Sequence, residues 1–136
     1  DILIGDDRVL YCSIFQHPFF PYTPLPDNDE RVISVPLDAS ATSTEFRAAV
    51  TDQWLPALEA FQPEMIFVSA GFDAHQDDDM SYVRLTDADF RWVSEEIVRI
   101  AEKSAQGRIV SALEGGYEIH SLARCAESHM RVLMGL

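Results

Sequence analysis

The feature that most constrains this chain is an apolar run at residues 65–70 (Met-Ile-Phe-Val-Ser-Ala), which is followed by Gly71 and delivers Asp73. A run without polar alternation is typical of a strand covered on both faces, as in a parallel sheet flanked by helices. Ligands bind at the carboxyl ends of the strands in open α/β sheets. We therefore predict a buried strand that ends in a candidate site carboxylate.

A second stretch, residues 109–117 (Ile-Val-Ser-Ala-Leu-Glu-Gly-Gly-Tyr), repeats the pattern and ends in Tyr117. The paired glycines Gly115 and Gly116 free the backbone amides and leave the phenol projecting. Such a tyrosine can donate a hydrogen bond to a carbonyl oxygen on which negative charge develops. The alternative is a packed ring with a satisfied hydroxyl. We expect the two strand ends to converge on one pocket.

The remaining segments alternate between strand-like and helix-like patterns. Residues 8–15 and 31–37 are rich in β-formers, and Pro36 is typical of an edge strand. Residues 16–29 are rich in proline and aromatic residues and predict a functional loop. Apolar residues at helical spacing predict three helical regions: one from Thr42 or Ser43 with an interruption at Pro56, one from Thr86 or Asp87 to about Lys103, and one from Ile119 or Ser121 onward. This order indicates an α/β fold with a parallel sheet.

Length and charge exclude several classes of protein. The 136 residues form one domain or part of one, and the net charge of −13 disfavours a nucleic-acid interface, which needs a basic face. No run reaches the roughly 18 apolar residues of a membrane span, and the first residues do not resemble a signal peptide. Two cysteines without CxxC spacing, Cys12 and Cys125, indicate a reduced cytoplasmic setting, with one long-range disulfide as the alternative.

Local sequence leaves the roles of the polar residues near Asp73 open. Asp73 itself is either a metal ligand or catalytic carboxylate, or a residue that caps a helix or stabilises a loop. His75 is either a second ligand or, as we favour, a residue that stabilises the loop. The acidic run at residues 77–79 lacks the glycine and glutamate of a calcium loop, so we predict a solvated turn with one aspartate capping the loop.

The ordered set of motifs resembles the zinc-dependent deacetylase superfamily, which includes histone deacetylases, acetylpolyamine amidohydrolases and acetoin-utilisation proteins. The main matches are residues 69–75 (Ser-Ala-Gly-Phe-Asp-Ala-His) and residues 113–117 (Leu-Glu-Gly-Gly-Tyr). Supporting matches are residues 9–14, 18–21, 35–37 and 122–124. The resemblance spans nearly the whole chain. It implies the C-terminal part of an arginase/deacetylase-like three-layer α/β fold, as a single partial domain over residues 1–136.

The resemblance also implies roles for particular residues. Asp73 would complete the zinc site, and Tyr117 would polarise the scissile amide carbonyl beside the metal. Other positions would line the substrate channel or hold a structural potassium or sodium ion: Phe20, Gly115 and Gly116 for the channel, and Ser13 with the carbonyl of Ile14 for the ion. Asp78 matches the aspartate of the loop after the metal ligand.

The departures from the family pattern matter as much as the matches. Residues 22–24 (Tyr-Thr-Pro) stand where the family usually has Gly-Thr-Gly, and Asp79 replaces a frequent proline. The sequence has one Asp-x-His tripeptide, Asp73-Ala74-His75, which belongs to the match at residues 69–75, and it has neither the family's separate Asp-x-His ligand motif nor a His-His pair. The four histidines do not substitute at matching positions: His17, His75, His120 and His129. Those motifs are expected upstream of residue 1. Because a catalytic zinc site needs about three protein ligands, we expect weak zinc binding at Asp73 and little deacetylase activity from this chain alone.

Three hypotheses follow for the function. The first is a portion of a deacetylase that hydrolyses N-acyl amides such as acyl-lysine or acetylpolyamines. The second is a non-catalytic folded module that self-associates or binds a partner. The third, a nucleotide-binding α/β domain, is weakest because no Gly-x-Gly-x-x-Gly or P-loop follows the first strand.

We also expect an oligomer. Apolar surface around residues 9–15 would form a homodimer, or would pair with a missing N-terminal portion.

Overall fold

The computed structural model describes residues 5–20, 22 and 30–136. Strands and helices alternate along these residues, in the order β1 (Tyr11–Gln16), β2 (Val32–Leu37), α1 (Ser43–Ala49), α2 (Leu55–Phe61), β3 (Ile66–Ala70), α3 (Asp87–Ser104), β4 (Ile109–Leu113) and α4 (Ile119–Leu133). A π-helical turn, Val50–Trp54, joins α1 to α2. The predicted α/β class is confirmed.

The strands pair in parallel, as the sequence predicted, but not in one sheet. Within the described residues β1 pairs with β2 and β3 pairs with β4, which gives two two-stranded sheets. In the second sheet Phe67 lies opposite Val110, and Ala70 lies opposite Leu113. The carboxyl ends of β3 and β4 therefore lie next to each other.

The expectation that both faces of β3 are covered is wrong for the described residues. Val68 packs against the core, whereas the Phe67 side chain is 73% exposed. Val110, the partner of Phe67 on β4, is 45% exposed. Because side chains alternate between the faces of a strand, one face of this sheet is packed and the other is open. The run of β-formers at residues 8–15 also suggests a buried first strand, but β1 is only half-buried, with Tyr11 exposed.

The starts of α1 and α3 are fixed by capping residues that the sequence indicated, whereas α4 is capped by Glu118, which the sequence did not single out. Thr42 and Glu45 form a capping box at α1, in which the Thr42 N–H donates to the Glu45 carboxylate at 2.8 Å. Thr86 and Asp89 form the same motif at α3. Pro56 lies in the first turn of α2, where its missing N–H is tolerated. The predicted interruption at Pro56 is confirmed.

Asp89 ties α1 to α3 from a fully buried position. Its carboxylate accepts the Ser43 hydroxyl at 2.6 Å, the Thr86 N–H at 2.9 Å and the Arg47 guanidinium at 2.8 Å. Burial raises the pKa of Asp89, but these hydrogen bonds outweigh it and hold the pKa below its ordinary value. A buried charge is tolerated here because all of its partners converge on it.

Helix α4 packs on α3 through a buried histidine. His129 Nδ1 lies 2.7 Å from the Ser94 hydroxyl, and His129 Nε2 lies 2.9 Å from the Ser111 hydroxyl of β4. The Ser94 hydroxyl already donates its proton to the Phe90 carbonyl at 2.6 Å. Nδ1 therefore carries the imidazole proton, and Nε2 accepts from Ser111. One side chain thus links α3, α4 and β4.

The apolar core lies between β2, α1, the β3 end and the two long helices. Its buried members include Val35, Leu37, Phe46, Val50, Phe72, Val83, Leu85 and Phe90. The rings of Phe72 and Phe90 lie 5.3 Å apart, which packs the residues after β3 against α3. Among the residues described, no helix has the length and apolar character needed to cross a lipid bilayer.

Candidate functional site

The loop that carries Asp73 is held against the loop that follows β4. The Phe72 N–H donates to the Gly115 carbonyl at 2.9 Å, and the Glu114 N–H donates to the Ala70 carbonyl at 3.0 Å. These bonds continue the parallel pairing beyond both strands. The predicted convergence of the two strand ends is therefore confirmed.

The glycines next to Asp73 leave the space that its carboxylate occupies. A Cβ at Gly115 would lie 2.7 Å from the Asp73 Cγ, closer than real Cβ contacts allow. A Cβ at Gly71 would lie 3.2 Å from the Asp73 Oδ1. Gly116 adopts a φ of +136°, and a Cβ there would meet the Leu122 side chain at 2.8 Å. Close approach to the Asp73 carboxylate therefore favours glycine at 115, and the positive φ favours glycine at 116.

The Asp73 carboxylate accepts no hydrogen bond from any residue that the structure describes. This finding separates it from Asp77 and Asp78 of the same loop, which do accept hydrogen bonds, and it removes support for the cap or loop-stabilising alternative. Its two oxygens are available to a ligand at the carboxyl end of β3. Within the same described residues, however, no group of three metal-ligating side chains includes Asp73.

Tyr117 projects from the end of the second loop, and its side chain is 61% exposed. Its backbone is fixed by Asp78, whose carboxylate accepts the Tyr117 N–H at 2.6 Å and the Glu118 N–H at 2.9 Å. The Met80 N–H donates to the other Asp78 oxygen at 2.9 Å. Burial raises the Asp78 pKa, and these N–H groups outweigh it and lower the pKa. The prediction that one aspartate of the turn caps the loop is confirmed.

The other predicted site residues lie apart from this arrangement. Phe20 is 79% exposed, and it follows Phe19, whose ring packs edge-on against Tyr82 at 5.8 Å. Ser13 and Ile14 lie half-buried in the middle of β1, which belongs to the other sheet. No hydrogen bond or ring contact among the described residues joins them to Asp73. Residues 21 and 23–29 of the predicted loop lie outside the described residues.

His75 is a buried loop residue, as we favoured from the sequence. Its Nδ1 accepts the Asp77 N–H at 3.1 Å, and its ring stacks on Phe90 with centroids 6.2 Å apart. Its Nε2 faces the Asp87 carboxylate at 3.7 Å. The Cys125 thiol donates to the other oxygen of Asp87 at 3.3 Å. Burial, reinforced by Asp87, raises the pKa of Cys125 to about 12.

Sequence reasoning missed Asp87 and Cys125 as neighbours of His75. Asp87 was considered only as a helix cap, and Cys125 only as an indicator of redox compartment. No spacing signal links them, because the fold brings together a loop and two helices. Cys12 and Cys125 are both free thiols, so the alternative of a long-range disulfide between them is wrong.

Comparison with known proteins places this arrangement in one family. The histone deacetylase domain model matches residues 1–133. The chain is 36% identical to type-2 histone deacetylase 2 of Dictyostelium discoideum, over 98% of the chain and 9% of that protein. It thus spans a small part of this relative.

Solved structures show the same fold. The crystal structure of the HDA15 HD domain superposes with a TM-score of 0.86 at 26% identity, over 98% of this chain and 40% of that one. The acetylpolyamine aminohydrolase from Burkholderia pseudomallei superposes with a TM-score of 0.80 at 28% identity, over 97% of this chain and 40% of that one. The strand-end loops at Asp73 and Tyr117, the parallel α/β fold and the matched domain together establish that the chain belongs to the histone deacetylase family.

Proposed function

We propose that this chain is the C-terminal portion of a zinc-dependent deacetylase that hydrolyses N-acyl amides of the acyl-lysine or acetylpolyamine type. The observation that carries the proposal is the meeting of Asp73 and the Gly115–Tyr117 loop at one sheet edge. A free carboxylate on one loop and a projecting phenol on the adjoining loop suit a metal ligand and a hydrogen-bond donor to a substrate carbonyl.

Zinc fits the donor chemistry of Asp73, since carboxylate oxygen is one of its usual ligands. When bound, the ion would polarise the amide carbonyl and activate a water molecule. The chain itself contributes the Asp73 carboxylate and the Tyr117 hydroxyl, whose proton can be donated to the carbonyl oxygen as charge develops there. The remaining ligands and the acid-base histidines are expected from a segment with a further Asp-x-His motif and a His-His pair, which this sequence does not contain besides Asp73-Ala74-His75.

The substrate and structural-ion roles are part of the same proposal. Exposed Phe20 suits an apolar wall for an extended acyl chain. Gly115 and Gly116 suit the rim of a narrow channel because they carry no side chain. Ser13 and the Ile14 carbonyl would hold a structural potassium or sodium ion. Cytoplasmic location is proposed on the support of two free thiols.

Turnover measurements test the proposal. Hydrolysis of an acetyl-lysine peptide and of an acetylated polyamine is measured with the 136-residue chain and with the full-length gene product. We expect zinc-dependent turnover only when the two missing motifs are present. We also expect Tyr117→Phe to lower kcat by about 100- to 1,000-fold with little change in stability. Turnover by the 136-residue chain alone would contradict the incompleteness of its metal site.

A second candidate function is a non-catalytic module that self-associates, or that pairs with a separate N-terminal portion. The open face of the β3–β4 sheet favours it, because Phe67 and Val110 lie side by side there and both are exposed. The expected contact around β1 has less support, because only one large hydrophobic residue of that strand, Tyr11, is exposed. A full-length gene product that carries both missing motifs and shows no turnover would favour this candidate.

A further inference from the structure

Three potential metal ligands that are distant in sequence lie close together in the fold. One ligand atom from each of His75, Asp87 and Cys125 lies within 4.8 Å of the other two. They come from the loop after β3, the first turn of α3 and the middle of α4. His75 is 1% exposed and Cys125 is fully buried.

A second observation points to a ligand at this position. The Nε2 atom of His75 is buried and has no hydrogen-bond partner among the described residues. Its nearest carboxylate oxygen, on Asp87, is 3.7 Å away, which is longer than a hydrogen bond. Buried polar atoms are nearly always satisfied. We propose that His75 Nε2, the Asp87 carboxylate and Cys125 Sγ bind a divalent ion of the zinc type, at a site separate from Asp73.

The donor set and its spacing suit this ion. Imidazole nitrogen, carboxylate oxygen and thiolate sulfur are the ligands that zinc takes in proteins. In a tetrahedral site such ligand atoms lie roughly 3.3–3.8 Å apart. The Asp87 carboxylate lies 3.3 Å from Cys125 Sγ through one oxygen and 3.7 Å from His75 Nε2 through the other. A small movement of His75 toward Cys125 completes the set and leaves a fourth position for water.

Protons and charges balance at this site. Binding releases the thiol proton of Cys125 to solvent and leaves a thiolate on the ion. The His75 proton then resides on Nδ1, and the Asp77 carboxylate, now 3.6 Å away, would accept a hydrogen bond from it after a small movement toward the ring. The Asp77 N–H, on an exposed residue, turns to solvent. The thiolate, Asp77 and Asp87 together offset the two charges of the ion and the one of Arg124, which lies 3.1 Å from Asp87.

An ion in this position would join the loop of Asp73 and Asp78 to both long helices. The inference does not depend on deacetylase activity, because Asp73 is outside the ligand set. It predicts a structural ion that stabilises the loop, in contrast to an ion that reacts with substrate.

Cobalt titration of the reduced 136-residue chain tests the site. A sulfur ligand gives Co²⁺ a thiolate charge-transfer absorption in the near ultraviolet, which oxygen and nitrogen ligands do not give. We expect this band at one equivalent of Co²⁺ and its loss on addition of Zn²⁺. Cys125→Ser should abolish the band, and Cys12→Ser, the matched control, should retain it. Asp77→Asn should weaken binding by about 10- to 100-fold.

Two further variants, Asp87→Asn and Asp73→Asn, distinguish loss of the metal site from unfolding and from the proposed catalytic site. If circular dichroism finds Cys125→Ser unfolded, Asp87→Asn provides the test, because its half-exposed side chain is replaced at similar volume. Asp87→Asn should weaken Co²⁺ binding more than Asp77→Asn does. Asp73→Asn should leave the band unchanged, which separates this site from the proposed catalytic one. Absence of the band in the wild-type chain at saturating Co²⁺, or its persistence in a folded Cys125→Ser variant, overturns the inference.

Discussion

The carboxylate of Asp78 accepts the backbone N–H of Tyr117 at 2.6 Å, across 39 positions of sequence. This bond links the loop after β3 to the loop after β4, and it orients a tyrosine whose side chain contacts solvent. Asp78 is therefore a positioning residue for Tyr117. The loop that carries Asp73 therefore also positions the backbone of Tyr117.

Replacement of Asp78 tests this link. Asp78→Ala leaves the N–H groups of Tyr117, Glu118 and Met80 without their acceptor, and we expect a loss of about 1–3 kcal/mol in the free energy of unfolding. Urea denaturation measures the loss, and faster hydrogen exchange at the Tyr117 and Glu118 amides locates it. Asp79→Ala, at an exposed neighbouring position, is the control and should change stability little. Equal stability of the two variants would argue against the link.

Replacement of Gly115 by alanine should displace the Asp73 carboxylate and lower the stability of the chain. The added Cβ would lie 2.7 Å from the Asp73 Cγ, so the carboxylate must move. We expect Gly115→Ala to destabilise the chain by about 1–3 kcal/mol through overpacking. In an Asp73→Ala background the same substitution should cost less, since the clash is gone. A double-mutant cycle by urea unfolding measures this coupling, and simple additivity would contradict it.

Stability should fall in mild acid because of His129. Burial lowers its pKa below the ordinary value of 6.5, so the unfolded chain binds a proton more readily than the folded chain. The contribution of neutral His129 is complete above pH 6.5 and is lost as the pH falls toward the lowered pKa. Urea unfolding between about pH 5 and 8 measures the slope. His129→Gln should remove this part of the slope, whereas His120→Gln, at an exposed position, should retain it.

Self-association should depend on the open face of the β3–β4 sheet. Phe67 is 73% exposed beside Val110, and burial of such a pair favours association. We expect Phe67→Ser to shift the chain toward monomer in sedimentation experiments at high concentration. Phe20→Ser removes an equally exposed ring and should leave association unchanged. A wild-type chain that remains monomeric throughout would contradict the proposed homodimer.

Helix boundaries and strand ends followed from local sequence. Thr42, Thr86 and Pro56 act at short range, because a cap or a missing N–H affects only its own turn. The carboxyl ends of β3 and β4 could likewise be predicted from two apolar runs, one followed directly by Gly71 and the other by Glu114 and Gly115. Whether both faces of β3 are covered could not be predicted, because an apolar sequence does not show which segments pack over the strand. Phe67 is the residue at which that expectation was wrong.

The sequence by itself determined the α/β class, the family and the strand-end positions of Asp73 and Tyr117, since these depend on residue types in a fixed order. Only the tertiary structure decided that Gly115 touches Asp73, that Asp78 holds Tyr117, and that His75, Asp87 and Cys125 share one buried space. These contacts join segments distant in the chain. Their geometry depends on how α3 and α4 pack against β3 and β4, which local patterns do not encode.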